Sequence, residues 1–573
     1  PLGMSVQAKF RFQPPDAGDG GDLAPSSKTP AGLPPCRCAD TIVPSVPSYA
    51  SAATDVTELD IDIASLLGPD ADPAAAGMTL RQVGASAPTS APAILDELLA
   101  ERDLLPQSDP AIVGALLRGL HTLFLKGERQ QLLAVRPQDL VTLDEALPPA
   151  CPNRSLILHL LVLSRSEPAL RIAMQRIKQH PPKDSIAAAQ VLSPLMQSAD
   201  WSVDAVFPAL LDSIEHPAVA APALDVANYL TRTQRVTVHP ASDQVTMLNT
   251  LLAAVTRRLE QFEADPRTLG DDIATVQSRL SEAVSLAVSL CDALGLIGQP
   301  QSLSRLTAAM QLKHRRVQTE AAGALARMQD EAGTDHLIAL VSEPSARLRV
   351  IAYADELGLS DRIDESYRSP AATAEAEMAL WLSQPGQMGV PPTSVETIDQ
   401  RQLYWPSYEQ PIDCFLVRFH YDMGSRSYSN VGITGPVVFA LANDVADLPM
   451  DDIYAIYAGW HAEHEDIFAL SAERFNQAQK RIVAELAAHV DRSGYQSPQA
   501  ELFGVFLGEQ AAVFTATRDD KPCRVITDGL ETMHLSIASR SRPLDAGDLW
   551  NLYKGRKLLR TFNPSGMDDS ERE

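Results

Sequence analysis

A two-helix unit that occurs twice between Ser302 and Gly358 constrains the fold of this chain more than any other feature. SLSRLTAAMQL, KHRR and VQTEAAGALARM read as helix, turn and helix, and TDHLIALVSE with ARLRVIAYADELG repeats the plan. Small or apolar residues recur 31 positions apart in three pairs, Leu294 and Leu325, Leu306 and Leu337, and Cys291 and Ala322. This period is typical of stacked helical arrays. Because one such helix pair cannot bury its apolar stripe alone, the next pair must cover it, which predicts a solenoid with a long free face.

Changes in composition and clusters of Pro and Gly divide the 573 residues into segments. Abundant Ala and Leu with only 5% aromatic residues favour closely packed helices. The first residues are rich in Pro, Gly and Ser, a composition that cannot offset the entropy of ordering. We predict a disordered arm at 1–92 (with 1–3 a protease-cleavage remnant), a helical array at 93–385, a linker at 386–402, an α+β region at 403–492, a small antiparallel β region at 493–563 and a flexible tail at 564–573.

Charge and cysteine content exclude several classes of function. The net charge of −25 argues against binding to nucleic acids or to anionic membranes. The six cysteines are scattered rather than clustered, so we expect them to be reduced. No continuous apolar run reaches the roughly 18 residues that span a bilayer, and MSVQAKFRFQPP lacks the apolar core of a signal peptide. We therefore expect a cytoplasmic protein.

The turns into the second helices carry a family resemblance. Arg315-Arg316-Val317 and Arg347-Leu348-Arg349-Val350 occupy equivalent places. Residues 283–358 resemble bacterial HEAT-type repeats, the group that includes phycobilin-lyase-like (PBS-lyase-like) repeats. The resemblance implies a solenoid that acts through contact with other molecules. It also leaves open that the repeats handle a bound small molecule, as lyase and glycosylase relatives do.

Residues after 400 follow a different pattern. CFLVRFHY (414–421) predicts a strand, and the segments 453–470 and 473–490 predict helices. Four short β-type segments then follow, LFGVFL, AVFTAT, CRVIT and MHLSIA, which predict a small antiparallel sheet or barrel. The last segment, GDLWNLYKGRKLLRTF, fits either a strand or a helix.

One cluster in this region could carry chemistry. On a continuous helix, His461 and His464 would be neighbours on one face, and Glu465 would lie four positions beyond His461. Two imidazoles and a carboxylate are acceptable metal ligands or acid/base groups. The order is not HExxH, and no Walker, GxGxxG or GxSxG motif is present, so we expect no cofactor. A solvated helix face is the alternative interpretation.

The charges after residue 440 are segregated. Asp444 to Glu473 contains eight acidic residues and no Lys or Arg, whereas Arg540 to Arg560 contains six basic residues. We predict that the basic strip docks on the acidic segment or on an acidic partner. Trp550 and Tyr553 beside the strip could instead stack on bases of a nucleic acid.

Together these patterns predict a mainly α protein, a HEAT-like solenoid followed by a smaller α+β region. We expect a non-catalytic scaffold or adaptor that binds another protein through the concave face of the solenoid. The alternative is an enzyme with its site in residues 400–563 and His461, His464 and Glu465 as candidate catalytic groups. The predicted binding surface consists of Lys313, Arg315, Arg316, Arg347, Arg349, Trp550, Tyr553, Lys554, Arg556, Lys557 and Arg560.

Overall fold

The structure is a computed structural model that describes residues 63–68, 73–148, 151, 153–270, 272–384, 386–424, 426–536 and 544–563. It contains two compact units, and the boundary between them falls between Leu337 and Ile338. We call the described residues up to 337 the repeat unit and those from 338 the C-terminal unit. Most of the predicted arm and the whole predicted tail at 564–573 lie outside the described residues. They include Val6, Ala8, Phe10 and Phe12, whose alternation with polar residues is typical of a strand, and Cys36 and Cys38.

The repeat unit is built from helices. They are α1 Pro73–Ala85, α2 Ala91–Ala100, α3 Pro110–Lys126, α4 Arg129–Ala134, α5 Pro137–Ala146, α6 Ser155–Ser164, α7 Glu167–Gln179, α8 Ser185–Leu192, α9 Pro194–Gln197, α10 Pro217–Arg232, α11 Val245–Ala264, α12 Ile273–Ile297, α13 Leu303–Met310, α14 Arg315–Arg327 and α15 Glu331–Ala339, the last of which crosses the unit boundary. Proline is the second residue of α7 and the first of α10, in the first turn, where no intrahelical N–H bond is lost.

Successive helix pairs cover one another as the repeat predicts. Five helices, α6, α8, α10, α12 and α14, pack each against the next, while α7, α11 and α13 pack against α6, α12 and α14 from one side. Leu294 and Leu325, and likewise Leu306 and Leu337, are fully buried. We call the five-helix layer the second-helix ladder. The predicted helical solenoid architecture is confirmed.

Folded structure begins earlier than predicted. Helix α1 lies within the segment predicted as a disordered arm, and Ile63 and Leu66 are fully buried. The prediction was therefore wrong for residues 73–92. The Ala-rich sequence PAAAGMTLRQVGA has few large apolar side chains, but α1 packs against α3, which stabilises it through tertiary contacts.

The C-terminal unit combines helices with two antiparallel sheets. Its elements are α16 Pro344–Leu357, α17 Pro370–Leu382, β1 Ser394–Leu403, β2 Ile412–Asp422, β3 Ser427–Thr434, α18 Met450–His461, β4 Ile467–Ser471, α19 Gln477–Arg492, β5 Gln496–Phe506, β6 Glu509–Arg518, β7 Lys521–Thr527, β8 Thr532–Ser536 and α20 Ala546–Phe562. One sheet has the order β1-β2-β3 and the other β4-β5-β6-β7-β8.

These elements form five layers. Helix α17 covers one face of the three-stranded sheet through Met378 and Trp381. Helices α18 and α20 lie between the two sheets in one hydrophobic core that includes Tyr454 and Trp550. Helix α19 covers the outer face of the five-stranded sheet through Leu486. Both sheets are therefore buried on both faces.

Three boundaries differ from the sequence prediction. The predicted linker at 386–402 contains most of β1, whose polar residues pair with β2. The predicted helix at 453–470 ends at His461, and its last part forms β4. Strand β4 precedes α19 in the chain and pairs with β5, which follows α19. The predicted division at 492/493 therefore cuts through one sheet. Long-range pairing overrides local pattern in each case. The last segment, left between strand and helix, is α20.

The order helix, three antiparallel strands, helix occurs twice in the C-terminal unit. The first copy is α17-β1-β2-β3-α18 and the second is α19-β5-β6-β7-α20, with β4 and β8 as added edge strands. The closing helices match in sequence, DIYAIYAG at 452–459 and DLWNLYKG at 548–555, each pair of positions 96 apart. This internal repeat was visible in the sequence and was not part of the prediction.

Helices α18 and α20 cross at the two glycines of this motif. A Cβ atom on Gly459 would overlap the carbonyl group of Asn551, and one on Gly555 would overlap the carbonyl group of Ala455. Only glycine permits backbones to approach this closely. The repeated motif therefore specifies the contact at the centre of the C-terminal unit.

Helix α12 is, by length and composition, apolar enough to cross a membrane. The sequence test missed it because serines interrupt its apolar run. Half of its most apolar window is buried within the protein, with Leu290 and Leu294 fully covered. The core helix of a helical array meets the same criterion, so this feature alone is weak support for a membrane span.

Candidate functional site

Polar side chains connect neighbouring helices of the second-helix ladder. Ser289 Oγ on α12 lies 2.6 Å from Asp225 Oδ1 on α10 and 3.0 Å from the carbonyl oxygen of Ser285. Asn228 Nδ2 donates to the carbonyl oxygen of Ser289 at 3.1 Å, and Asn228 Oδ1 lies 2.9 Å from His239 Nε2. Ser289 and Asn228 are buried, whereas Asp225 is half-buried at the edge of this network.

An ion pair continues the polar row along the same two helices. Arg232, two turns after Asp225 on α10, binds Asp292 on α12, with Nε 3.2 Å from Oδ2. Asp225, Asn228 and Arg232 follow a helical spacing of three and four residues, so they share one face of α10. This row, with its partners Ser289 and Asp292, is called the polar row below.

The polar row contains a carboxyl group with an unusual pKa. Burial is the largest influence on Asp225, and Asp292 and Glu320 act in the same direction. The hydrogen bond to Ser289 and the charge of Arg316 act in the opposite direction, and the pKa is raised to about 6. A protonated Asp225 can donate to Ser289 Oγ, which leaves the serine hydroxyl free to donate to Ser285. Arg316 is exposed on α14 and brings a cation to this face of the ladder.

The turn before α14 is held by the preceding helix pair. Glu263 Oε1, at the end of α11, accepts hydrogen bonds from the backbone N–H groups of Lys313 at 2.7 Å and His314 at 3.3 Å. Lys313 and Arg316 are exposed, and Arg315 Nη1 donates to Gln318 at 2.8 Å. The turn therefore presents two cations from a backbone that is fixed by its neighbour.

Stacked helix pairs, a 31-residue recurrence of buried positions and cross-helix polar contacts together indicate the type of repeat. Residues 277–358 match the HEAT repeats family. The predicted HEAT-type resemblance is confirmed for this segment, which runs from α12 to the end of α16. HEAT repeats form helical scaffolds for protein interaction. Comparisons with curated proteins and with solved structures found no match.

Arg347 does not belong to a binding surface, which corrects the prediction. Its side chain is 5% exposed, Nη1 lies 3.0 Å from Glu375 Oε2 and donates to the carbonyl oxygen of Ala372 at 2.7 Å. Glu375 Oε1 in turn accepts from the N–H of Thr397 on β1 at 3.1 Å. Arg347 thus joins α16, α17 and the first strand. Arg349 is half-buried, with its guanidinium 4.4 Å from the ring centre of Tyr353.

Three cations of the basic strip on α20 pair with carboxylates of the same chain. Arg556 Nη2 lies 2.6 Å from Oδ1 of the buried Asp452 on α18. Lys557 Nζ lies 2.7 Å from Asp528 Oδ2 and also binds Glu509, and Arg560 lies 3.6 Å from Glu531. The first form of the docking prediction, contact with the acidic segment, is therefore seen at Arg556.

Three residues of the predicted strip are buried rather than available for partners. Trp550 is 3% exposed, Tyr553 1% and Lys554 6%. Trp550 and Tyr553 belong to the core that α20 forms with α18 and the five-stranded sheet, because the Gly459–Gly555 crossing turns this side of α20 inward. Base stacking on Trp550 or Tyr553 is therefore excluded in this fold.

A cleft of about 360 Å³ lies beside the exposed end of this strip. It is lined by Phe506, Leu507, Glu509, Glu531, Lys557, Arg560 and Thr561. Asp528, below it, accepts from Lys557, from Tyr553 Oη at 2.8 Å and from two backbone N–H groups. Burial would raise the pKa of Asp528, but these hydrogen bonds lower it to about 2. The cations of the cleft are thus held by carboxylates of the same unit.

The predicted catalytic cluster does not form on one helical face. Helix α18 ends at His461, whose Nδ1 accepts from Trp405 Nε1 at 2.9 Å. His464 and Glu465 follow in an exposed turn, and His464 Nδ1 lies 3.9 Å from Asp466 Oδ2. Among the described residues, no group of three or more His, Cys, Asp or Glu side chains could hold a metal ion. By the internal repeat, His461 is the counterpart of Lys557.

Sequence reasoning missed the polar row on α10 and α12. The signal was present: Asp225, Asn228 and Arg232 interrupt an otherwise apolar helix, and Ser289 and Asp292 do the same 60 or more residues later. Polar residues on one face of a buried helix must find partners. The predicted residues Lys313, Arg315 and Arg316 lie at the turn into α14 and stay a prediction as binding residues.

Proposed function

We propose that this protein is a non-catalytic scaffold that binds another protein through the face of its second-helix ladder. The observation that supports the proposal is the polar row: Asp225–Ser289 and Arg232–Asp292 fix α10 and α12, two successive helices of the ladder, relative to each other. In a solenoid each helix pair contacts only its neighbours, so a surface of this kind extends over several repeats.

The proposed surface combines fixed backbone with exposed charge. Lys313 and Arg316 are exposed on a turn that Glu263 fixes. Fixed positions lower the entropy cost of binding, because little has to be ordered when a partner arrives. Exposed cations beside the carboxylates of the polar row suit a partner whose surface carries charges of both signs, mainly acidic ones. The basic turn would orient such a partner.

The state of the cysteines bears on the compartment in which the protein works. Cys151, Cys291, Cys414 and Cys523 are unpaired and buried in the described part of the chain. Burial raises the pKa of each of these thiols. Unpaired thiols suit a reducing environment, and we propose the cytoplasm.

Quantitative affinity capture from the native cell tests the scaffold proposal. The bait is the full chain, compared with a Lys313→Glu/Arg316→Glu double variant and with Arg305→Glu. Arg305 is exposed on α13, outside the ladder, and provides a single charge reversal away from the proposed surface. We expect the double variant to lose at least one partner by about tenfold or more, the effect of about 1.4 kcal/mol, while Arg305→Glu retains it.

Circular dichroism and thermal melting of both variants must first match the unsubstituted protein. If the double variant is folded and captures the same partners in the same amounts, the ladder face is not the binding surface and the proposal is wrong. His461→Ala and His464→Ala should leave capture unchanged, because a scaffold of this kind does not use these groups.

A further inference from the structure

Two buried histidines face each other inside the repeat unit. His121 on α3 and His159 on α6 are each 7% exposed, and His121 Nε2 lies 2.8 Å from His159 Nδ1. The ring centres are 4.8 Å apart, with the ring planes tilted by 55°. We call these residues the histidine pair. A hydrogen bond of this length needs one N–H and one lone pair between the two nitrogens.

The pair lies in the contact between α3 and α6, where a second polar contact, from Asn153 Nδ2 to the carbonyl oxygen of Gly114 at 2.9 Å, lies just before α6. Helix α3 also packs against α1, α2 and α4, and α6 packs against α4, α5, α7 and α8. The pair is therefore the part of the α3–α6 contact that can respond to pH. Any change that breaks its hydrogen bond acts on the contact between α3 and α6.

No carboxylate near the pair compensates an added proton. Burial lowers the pKa of His121 to about 4, and burial together with His121 lowers the pKa of His159 to about 3. Some charged groups on the surrounding elements have other partners: Glu97 accepts from Ile63, Arg129 binds Ser164 and Asp200, and Asp144 binds Arg154 and Arg176. The other charged groups are exposed, namely Arg81, Asp96, Arg118 and Lys126.

Protonation affects the pair in two steps. One added proton leaves an N–H···N bond in place but puts an unpaired charge in a buried apolar site. A second proton directs two N–H groups at each other and removes the acceptor. Both steps favour a state in which the rings reach water. We propose that the histidine pair makes the α3–α6 contact acid-sensitive, so that acidification opens this contact while the later helices of the repeat unit stay folded.

The sign of the pH dependence follows from the lowered pKa values. In the open state each histidine has a pKa near 6.5, so below pH 6.5 the open state binds more protons than the closed state. The α3–α6 contact is at full strength above pH 6.5 and weakens as the pH falls towards 4. At pH 4 the opening equilibrium should be favoured by about a hundredfold or more over its value at pH 7.

Hydrogen exchange measured by mass spectrometry on the full chain at pH 7, 6, 5 and 4 tests this. Rates are corrected for the intrinsic pH dependence of exchange with an unfolded peptide. We expect peptides from α3 and α6 to lose protection by about a hundredfold between pH 7 and pH 4, while peptides from α12 and α14 lose much less. His239 is also buried, with a lowered pKa of about 4, so peptides from α10 are read separately.

A double variant replaces both histidines of the pair with side chains that do not titrate. His121→Gln retains a polar group at the Nε2 position and His159→Asn retains one at the Nδ1 position, so a hydrogen bond can still form. We expect this variant to show the same protection of α3 and α6 at pH 4 as at pH 7. His180→Gln removes an exposed histidine of the same unit and should behave like the unsubstituted protein.

Two results would overturn the proposal. The first is unchanged protection of α3 and α6 in the unsubstituted protein down to pH 4, which requires no variant. The second is a double variant that is folded at pH 7 and still loses protection of α3 and α6 on acidification.

Discussion

In both units two helices approach each other at a glycine, but the severity of the approach differs. A Cβ on Gly295 of α12 would lie 2.7 Å from the Cβ and 2.8 Å from the Cα of Ala324 on α14, 29 positions away in the chain. On α20, a Cβ on Gly555 would overlap the backbone of Ala455, 100 positions away. Two stacked helices of a solenoid can separate slightly, whereas α18 and α20 are enclosed between two sheets. Tolerance to a substitution should therefore differ between the units.

Two carboxyl groups, one in each unit, also differ in how well they are compensated. In the repeat unit, Asp225 is close to other carboxylates, and its pKa is raised to about 6, mainly by burial. In the C-terminal unit, Asp528 is surrounded by four hydrogen-bond donors, and its pKa is lowered to about 2 against the effect of burial. The carboxyl group of Asp225 is thus poorly compensated, whereas that of Asp528 is held in its ionised form by its partners.

The largest effect is expected for Gly555→Ala. The new methyl group must displace backbone of α18, and we expect a loss of more than about 4 kcal/mol, enough to unfold the C-terminal unit. Calorimetry should show its transition lost while that of the repeat unit remains. Gly547→Ala, in the first turn of α20 and facing only its own Asp545, should change stability by less than about 1 kcal/mol. Equal effects would mean that the helix crossing is not close-packed.

Asp528→Asn should be the next most damaging change. It removes the charge that pairs with Lys557 and the acceptor for Tyr553, at a cost of about 2 to 3 kcal/mol at pH 7. Because the folded pKa is below the unfolded one, the contribution of Asp528 is present above about pH 4 and is lost as the pH falls through 2. Urea denaturation at pH 7 and pH 3 measures it. Asp520→Asn, at an exposed turn, is the control.

Gly295→Ala tests the corresponding contact in the repeat unit. We expect a loss of about 1 to 2 kcal/mol, since the overlap with Ala324 is partly offset by higher helix propensity. Gly77→Ala on α1 meets no atom within 4 Å and should be neutral or slightly stabilising. The melting temperature of the repeat-unit transition measures both. A loss as large as that of Gly555→Ala would contradict the contrast between the two units.

Asp225→Asn should have the smallest effect and the opposite sign. The folded pKa is above the unfolded value near 3.8, so the native state binds more protons between pH 4 and 6 and loses stability as the pH rises through 6. The amide keeps the hydrogen bond to Ser289 without a charge, and we expect a gain of about 1 kcal/mol at pH 8 that shrinks towards pH 5. Denaturation at the two pH values measures the difference. Destabilisation at pH 8 would show that the carboxylate is paired.

The sequence by itself determined the helical array. Burial could be predicted for residues such as Leu294, Leu325, Leu306 and Leu337, because the helix that covers each one recurs at a fixed distance along the chain. The short strands after residue 500 were also predicted, since alternation and turn residues are local signals. The matching DIYAIYAG and DLWNLYKG motifs could have been read in the same way.

The tertiary structure alone decided which charges are available to partners. Arg347 and Lys554 look like surface cations in the sequence, but both are buried against other elements of the C-terminal unit. The spacing of His461 and His464 fits one face of a helix, but α18 ends before His464 because the following residues form β4, which pairs with β5. Exposure depends on which element packs over a residue. In the C-terminal unit that element lies tens of residues away at no fixed spacing, so no local pattern encodes it.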